Sequence, residues 1–233
     1  MNESILIVDD EKEIADLIEV YLKNDGYIVY KFYNGIEALN CIETTKLDLA
    51  ILDVMLPDID GFRICQKIRE KYFYPVIMLT AKVEDTDKIM GLTIGADDYI
   101  TKPFNPLELI ARVNSGIRRY TKFGAVDSNS NKNIYKSGEL IIDDDFKSVM
   151  VEGKEVKLTP TEYNILKFLT KNKGTVYSIE QIYENVWKDE AYSAENIIAV
   201  HIRHIREKIE INPKEPKYLK VIWGIGYKIE KIS

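Results

Sequence analysis

Along the first half of the chain, short apolar runs alternate with longer stretches of helical period. Four of the runs have strand length: Ile5-Leu-Ile-Val8, Leu47-Asp-Leu-Ala-Ile-Leu52, Val76-Ile-Met-Leu79 and Tyr99-Ile-Thr101. Between and after them lie helical stripes. Ile14, Leu17, Ile18 and Tyr21 share one face of a helix that should end at Gly26, and Leu109, Ile110, Val113 and Ile117 share another. The second of these helices opens on Asn105-Pro-Leu-Glu108, an N-cap, a proline at the first helical position and a glutamate at N3. Strands and helices in alternation predict an α/β unit with a parallel sheet, built from five strand–helix repeats.

The pattern then changes. Thr121 to Asn133 is polar and without apolar period, which marks a flexible linker. From Ile134 to Lys157 apolar and polar residues alternate, with turn signals at Asp143-Asp-Asp145 and Glu152-Gly153, so a small antiparallel sheet is expected. Thr159-Pro-Thr-Glu162 and Ser178-Ile-Glu-Gln181 are capping boxes. The first opens a helix through Leu166 and Leu169 to Gly174, the second a helix through Ile182 and Val186-Trp187. A third helix, capped by Ser193, should reach about Glu210, and a hairpin from Tyr218 to Glu230 should turn at Gly224-Ile-Gly226. Three helices and a hairpin match a winged helix-turn-helix. The expected division is a first domain over 1–120, a linker over 121–133 and a second domain over 134–233.

Chemistry gathers where the predicted strands end. Asp9 and Asp10, Asp53, Thr80 and Lys102 each close one of the four runs, and in a parallel α/β sheet sites sit at the carboxyl ends of strands, beside the switch in strand order. Three carboxylates, a hydroxyl and an ammonium would share one edge. Clustered carboxylates repel unless a cation joins them, and oxygen ligands suit Mg²⁺, which also favours phosphoryl oxygens. The set reads as a phosphoryl-accepting aspartate with its metal and its lysine. Asp9 or Asp10 alone would serve equally well as a helix cap. Asp53 resists that reading, because Val54-Met-Leu-Pro57 follows and the next helix starts only near Gly61. Lys102 precedes Pro103, where a cis bond is feasible and would aim the lysine inward. Tyr99 is equally well a half-buried strand tyrosine.

Composition narrows the class. With 45% hydrophobic and 30% charged residues, 233 residues supply packed cores and carry no disorder signature. No apolar run is long enough for a membrane span and no secretory signal is visible, so a soluble, cytoplasmic protein is expected. Cys41 and Cys65 lie in helical patterns without metal-ligand spacing, as buried thiols do. The net charge of −6 is uneven: residues 1–120 carry 14 basic against 21 acidic side chains, residues 121–233 carry 18 against 17. A nucleic acid would therefore meet the second half. There the expected third helix has an apolar stripe, Ile198, Ile202, Ile205 and Ile209, which leaves Asn196, His201, Arg203, His204, Arg206 and Lys208 to solvent or a partner. Gly224-Ile-Gly226 is a hairpin turn and opens no helix, so it is a poor dinucleotide site.

The runs Ile5-Leu-Ile-Val-Asp-Asp-Glu11, Leu52-Asp-Val-Met-Leu-Pro57, Leu79-Thr-Ala81 and Gly95-Ala-Asp-Asp-Tyr-Ile-Thr-Lys-Pro-Phe104, in this order and spacing, resemble the receiver domain of two-component response regulators. The C-terminal part is similar to the winged-helix output domain of the OmpR/PhoB subfamily. Ile14 to Asn24, Ile64 to Ala81, Gly91 to Val113 and Val221 to Glu230 are similar to the regulators of vancomycin-resistance operons. The resemblance implies a flavodoxin-like (βα)5 receiver with strand order 2-1-3-4-5. It implies that Asp53 is phosphorylated, that Asp10, Asp53 and the Met55 carbonyl hold Mg²⁺ with Asp9 acting through water, and that Lys102 and Thr80 contact the phosphoryl group. Thr80 and Tyr99 would form a paired switch. A dimer surface on the receiver's fourth helix, fifth strand and fifth helix would use Lys88, Asp97, Asp98, Glu108, Arg112 and Arg119, although Glu108 and Arg112 also suit a simple helical i,i+4 pair. Asn196, His201, Arg203, His204 and Arg206 fall at DNA-facing positions of the family. Trp223 stands where relatives commonly carry an arginine, and would either pack on the sugar-phosphate edge or fill the base of the hairpin.

The expected protein is a transcription regulator switched by a sensor histidine kinase, binding double-stranded promoter DNA as a homodimer and acting on RNA polymerase. A glycopeptide-resistance operon is its expected target, and an enzyme acting on other substrates is not expected. Met55, two residues after Asp53, argues against a dehalogenase-type phosphatase, which needs an acid there. The competing expectation is a phosphotransfer or docking module whose second domain binds protein.

Overall fold

A computed structural model gives the structure of the chain and describes residues 3–81, 95–123, 133–188 and 194–232. The chain divides into two compact units, Met1–Tyr120 and Thr121–Ser233.

The first unit runs β1 (Ser4–Val8), α1 (Lys12–Asn24), β2 (Ile28–Phe32), α2 (Gly35–Thr44), β3 (Leu49–Asp53), α3 (Gly61–Lys71), β4 (Val76–Ala81), β5 (Asp98–Lys102) and α4 (Pro106–Phe123). Its five strands are parallel and lie in the order β2-β1-β3-β4-β5, as the resemblance implies. Residues 82–94, where the connection from β4 to β5 runs, lie outside the described residues. Strand β3 is buried along its whole length and β4 as far as Thr80, which is why both read as unbroken apolar runs. Strand β2 is an edge strand with half-exposed side chains, and its Ile-Val-Tyr-Lys-Phe sequence offers no such run. Between the sheet and its flanking helices, Ile5, Ile7, Ile18, Leu22, Leu49, Ile51, Leu79, Leu109 and Val113 form the core. Helix α4 starts as expected, with Leu107 N–H donating to Asn105 Oδ1 at 2.9 Å. It continues to Phe123, three residues into the stretch expected as linker, because the first helix-breaking residue after Pro106 is Gly116, tolerated by packing on Leu49 and Pro75, and the next is Gly124.

The second unit opens with an antiparallel sheet, β6 (Ile134–Ser137), β7 (Leu140–Asp143), β8 (Ser148–Val151) and β9 (Lys154–Glu155). Helices α5 (Pro160–Lys171), α6 (Ile179–Trp187) and α7 (Ala194–Ile209) follow, then the hairpin β10 (Leu219–Ile222) and β11 (Gly226–Ile229). Both capping boxes form, Thr159 with Glu162 and Ser178 with Gln181. Ser193, the expected cap of α7, lies outside the described residues. Cys41 and Cys65 are buried free thiols, and among the described residues no helix is long and apolar enough to cross a membrane.

One glycine ties the packing of the first unit to its chemistry. A Cβ at Gly61, the first residue of α3, would lie 2.0 Å from the carbonyl oxygen of Asp53. The close approach lets α3 begin directly behind the end of β3. Gly61→Ala must push the two apart, at a cost of roughly 1–3 kcal/mol. Both tryptophans, Trp187 and Trp223, lie in the second unit. The loss should therefore appear in urea unfolding of the full chain as an earlier transition in far-UV dichroism, with the tryptophan-monitored transition unmoved.

Candidate functional site

The strand order reverses between β1 and β3, which lie side by side while their connections leave in opposite directions. Asp9 follows the last residue of β1, Asp53 ends β3, and Asp10 follows Asp9 on the surface. One carboxylate oxygen of each lies within 4.8 Å of the others. Asp9 and Asp53 are buried, at 0% and 3% exposure. Lys102, at the end of β5, sends its ammonium into this cluster, 2.8 Å from Asp9 Oδ2, 2.8 Å from Asp53 Oδ2 and 3.0 Å from Glu11 Oε1. The Lys102–Pro103 peptide is cis.

Neither Asp9 nor Asp10 caps α1. The cap position belongs to Glu11, whose side chain makes no capping bond and reaches Lys102 instead. Glu11 was not among the expected site residues, although it completes the Asp9-Asp-Glu11 run. Asp9 Oδ1 accepts from the Glu11 N–H at 3.0 Å, and Asp53 Oδ1 accepts from the Met55 N–H at 3.1 Å. Helix α3 takes its own cap from Asp60, so Asp53 is free of that duty.

Burial pushes the Asp9 carboxyl up to about 6, against the opposing pull of Lys102. For Lys102 burial works the other way, yet the hydrogen bonds to Asp53, Asp9 and Glu11 outweigh it and hold the ammonium above its ordinary range. The buried Asp9 Oδ2 meets Lys102 alone, and that one ammonium is shared with Asp53 and Glu11. Three carboxylate oxygens this close, two of them buried, with one ammonium among them, fit a hard divalent cation. Thr80, on β4 between β3 and β5, is buried and donates to the Ala81 carbonyl at 2.9 Å. Tyr99 is buried rather than half-buried, and its hydroxyl finds no partner among the described residues.

The charges expected on a dimer surface are placed differently. Asp97 is buried against Arg69 Nη2 at 2.6 Å and also accepts from the Val76 N–H at 2.9 Å. Asp98 is buried against Arg112 Nη1 at 2.8 Å, and Arg112 Nη2 also meets Glu108 at 2.8 Å, the helical pair. Arg119 is buried and donates to Ser115 Oγ at 2.8 Å. The reason is physical: charges on β5 and the inner face of α4 cannot reach water, so they pair within the chain. Lys88 lies outside the described residues.

In the second unit, Arg203 is exposed on α7 and, among the described residues, pairs along the helix with Glu207 at 2.8 Å. His201 and His204 are buried, at 2% and 7% exposure, against the expectation that they face a groove. His201 packs on Trp187, ring centres 5.9 Å apart, and His204 Nδ1 lies 3.8 Å from the buried Glu162. Helix α7 is covered on two sides, so its buried face is wider than the isoleucine stripe. Arg206 is half-buried: its Nε donates to the Leu219 carbonyl at 2.9 Å and ties α7 to β10. Glu210 strengthens the tie, accepting from the N–H groups of Lys217, Tyr218 and Leu219 at 2.7, 2.9 and 2.8 Å. Lys208 pairs with Glu162 at 2.6 Å. Trp223 does not fill the base of the hairpin; it is 89% exposed at the tip. The side chain of Asn196 lies outside the described residues.

A pocket suited to a phosphoryl group at the switch point, on a chain whose second half is a winged helix, is the design of a response regulator with a DNA-binding output unit. Comparison with known proteins agrees. Residues 5–114 match the response regulator receiver domain and residues 153–229 the C-terminal domain of transcriptional regulatory proteins. The chain is 55% identical to the regulatory protein VanR of Enterococcus faecium over 99% of its own length and 100% of the relative's. It is 49% identical to VanRc of Enterococcus gallinarum, over 99% and 100%. Among solved structures, the response regulator DrrB of Thermotoga maritima, an OmpR/PhoB homologue, matches with a TM-score of 0.52 at 37% identity, covering 99% of this chain and all of that one. The chain belongs to the OmpR/PhoB-type response regulators and is a phosphorylation-activated transcriptional regulator.

The buried histidine gives the output unit a pH signature. Burial lowers the His204 pKa below the usual 6.5, more than Glu162 raises it, with His201 and Lys208 adding to the fall. The folded state therefore binds fewer protons than the unfolded one. Stability fully present above pH 6.5 is lost as pH falls through the lower, folded value. Thermal unfolding read by tryptophan fluorescence should drop between pH 7 and 5, and His204→Gln should flatten that drop.

Proposed function

We propose that Asp53 accepts a phosphoryl group from the phosphohistidine of a sensor kinase. The phosphorus–nitrogen bond of the donor breaks as a phosphorus–oxygen bond to Asp53 forms, and the histidine leaves with its electron pair. The observation that carries this reading is Lys102, whose ammonium lies 2.8 Å from both Asp9 and Asp53 and so faces the oxygens on which charge builds. Mg²⁺, when bound, would neutralise the carboxylates and the transferred oxygens; Asp10, Asp53 and the Met55 carbonyl would hold it, with Asp9 acting through water. Thr80 would turn its hydroxyl from the Ala81 carbonyl to the phosphoryl group, and Tyr99 would follow as its paired switch. Slow hydrolysis of the acyl phosphate by the receiver itself would reset the state.

The phosphorylated chain would dimerise on the face around β5 and α4, with Asp97, Asp98, Glu108, Arg112 and Arg119 exchanging partners within the chain for partners in the second copy, joined there by Lys88. It would bind promoter repeats in the cytoplasm and act on RNA polymerase. Similarity to VanR and VanRc supports a glycopeptide-resistance operon as the target. Asn196, Arg203 and Trp223 are the contacts to DNA that this reading favours. His201, His204 and Arg206 support the surface from within, and meet DNA only if they leave their present partners.

Acetyl phosphate should label the full chain once, only with a divalent cation present. Asp53→Asn should abolish labelling, and stoichiometric labelling of that variant at pH 7 would sink the assignment.

The two arginines of α7 should separate in a salt titration. Arg203 is exposed, and losing a phosphate contact there should weaken all sequences alike and lower the salt slope by about one unit. Arg206 holds β10, so Arg206→Ala should weaken binding with little change in slope. Equal slope changes for both variants would mean that Arg206 touches phosphate.

A further inference from the structure

The tip of the β10–β11 hairpin carries two apolar side chains that gain little from folding. Trp223 is 89% and Ile225 62% exposed, on either side of Gly224, whose φ of +74° closes the turn. A lone exposed hydrophobic residue is ordinary; an exposed indole beside an exposed isoleucine on a rigid tip is a patch. The rigidity is built in. Leu219 and Ile229 at the hairpin's base are fully buried, and Tyr177 and Tyr227 exchange backbone hydrogen bonds at 2.9 Å. Gly226 is locked against Tyr177, whose carbonyl oxygen would lie 2.0 Å from an added Cβ. Arg206 and Glu210 fix the same hairpin to α7, so tip and helix present themselves as one piece.

Charge indicates what the tip meets. Lys220 and Lys228 stand directly opposite each other across the hairpin. Glu230 pairs with Lys228 at 3.1 Å and reaches Lys220 only as a charge nearby. Like charges placed opposite in a ladder destabilise it, and a polyanion relieves them. An apolar tip backed by cations, rigidly joined to a helix with an exposed arginine, fits duplex DNA.

We propose that this tip is an apolar wedge for DNA: Trp223 and Ile225 enter the minor groove and press into a base step, while Lys220 and Lys228 meet the bordering phosphates. The proposal rests on the assignment of the C-terminal unit to DNA. Apolar wedges unstack a step and bend the duplex, and flexible pyrimidine–purine steps yield most easily. Readout at the wing would then follow the deformability of a step rather than the negative potential of a narrow groove.

The two tryptophans make the test direct, because Trp187 is buried at 1% exposure and only Trp223 faces water. The full chain, treated with acetyl phosphate, is used to enrich a duplex from a random-sequence pool, and that duplex is the probe. On binding, iodide should no longer quench the exposed indole, and 2-aminopurine placed at the contacted step should brighten. Trp223→Ala should weaken binding roughly ten-fold, leave the probe dark, and keep the salt slope, since an indole releases no counterions. Trp223→Arg should bind with a slope steeper by about one unit and the probe still dark. Iodide access to Trp223 on saturating duplex, or full affinity in Trp223→Ala, would overturn the wedge while leaving DNA binding intact. Protection of the indole by rising protein concentration without DNA would assign the tip to a second copy and overturn it likewise. A chain that enriches no duplex at all defeats the assignment to DNA itself.

Discussion

Carboxylates buried together at a sheet edge repel one another, and among the described residues the receiver half sets one cation against them. Asp9 and Asp53 end adjacent strands, with Asp10 and Glu11 beside them, and Lys102 answers from β5. Strand β5 is not next to β3; β4 lies between, carrying Thr80. A long, flexible stem with a compact charge can cross that gap. One ammonium does not neutralise the group, which is why burial still lifts Asp9 to about 6. Adding a phosphoryl group would bring a further charge of about −1.5 to −2. To take a phosphoryl group as well, the pocket would need a further cation, and its oxygen donors suit a hard one.

What could be read in advance follows from what local pattern encodes. Strands β1, β3, β4 and β5 were legible because buried parallel strands are continuous apolar runs, and their ends carried the chemistry. Strand β2 was not, because an edge strand half-open to water keeps no such run. Both capping boxes were legible because they are purely local. Burial of charge was the weak point. Asp97, Asp98, Arg112 and Arg119 look like surface charges in sequence, and only the fold places Arg69 and Arg112 beside the two aspartates. The burial of His201 and His204 is illegible for the same reason: a stripe at helical spacing gives the centre of the buried face, and its width depends on Trp187 and Glu162, which lie on other helices.

Those burials change how the output unit must work. With 18 basic against 17 acidic side chains in residues 121–233, long-range attraction to a polyanion is weak, so affinity has to come from a few placed groups. Two histidines, Lys208 and Arg206 already have partners inside the unit, so among the described residues the expected DNA-facing groups that point outward are Arg203 on α7 and Trp223 at the tip of the hairpin. Contacts this few discriminate only if their spacing is fixed. Arg206 and Glu210 fix it, through four hydrogen bonds to the segment from Lys217 to Leu219. A free wing would lose its contact to the entropy of ordering it; a wing bound to the helix arrives in place, and ordering costs it little. His201, His204 and Arg206, which sequence reasoning gave to the DNA, lie one layer deeper, packed or bonded within the unit beneath that surface.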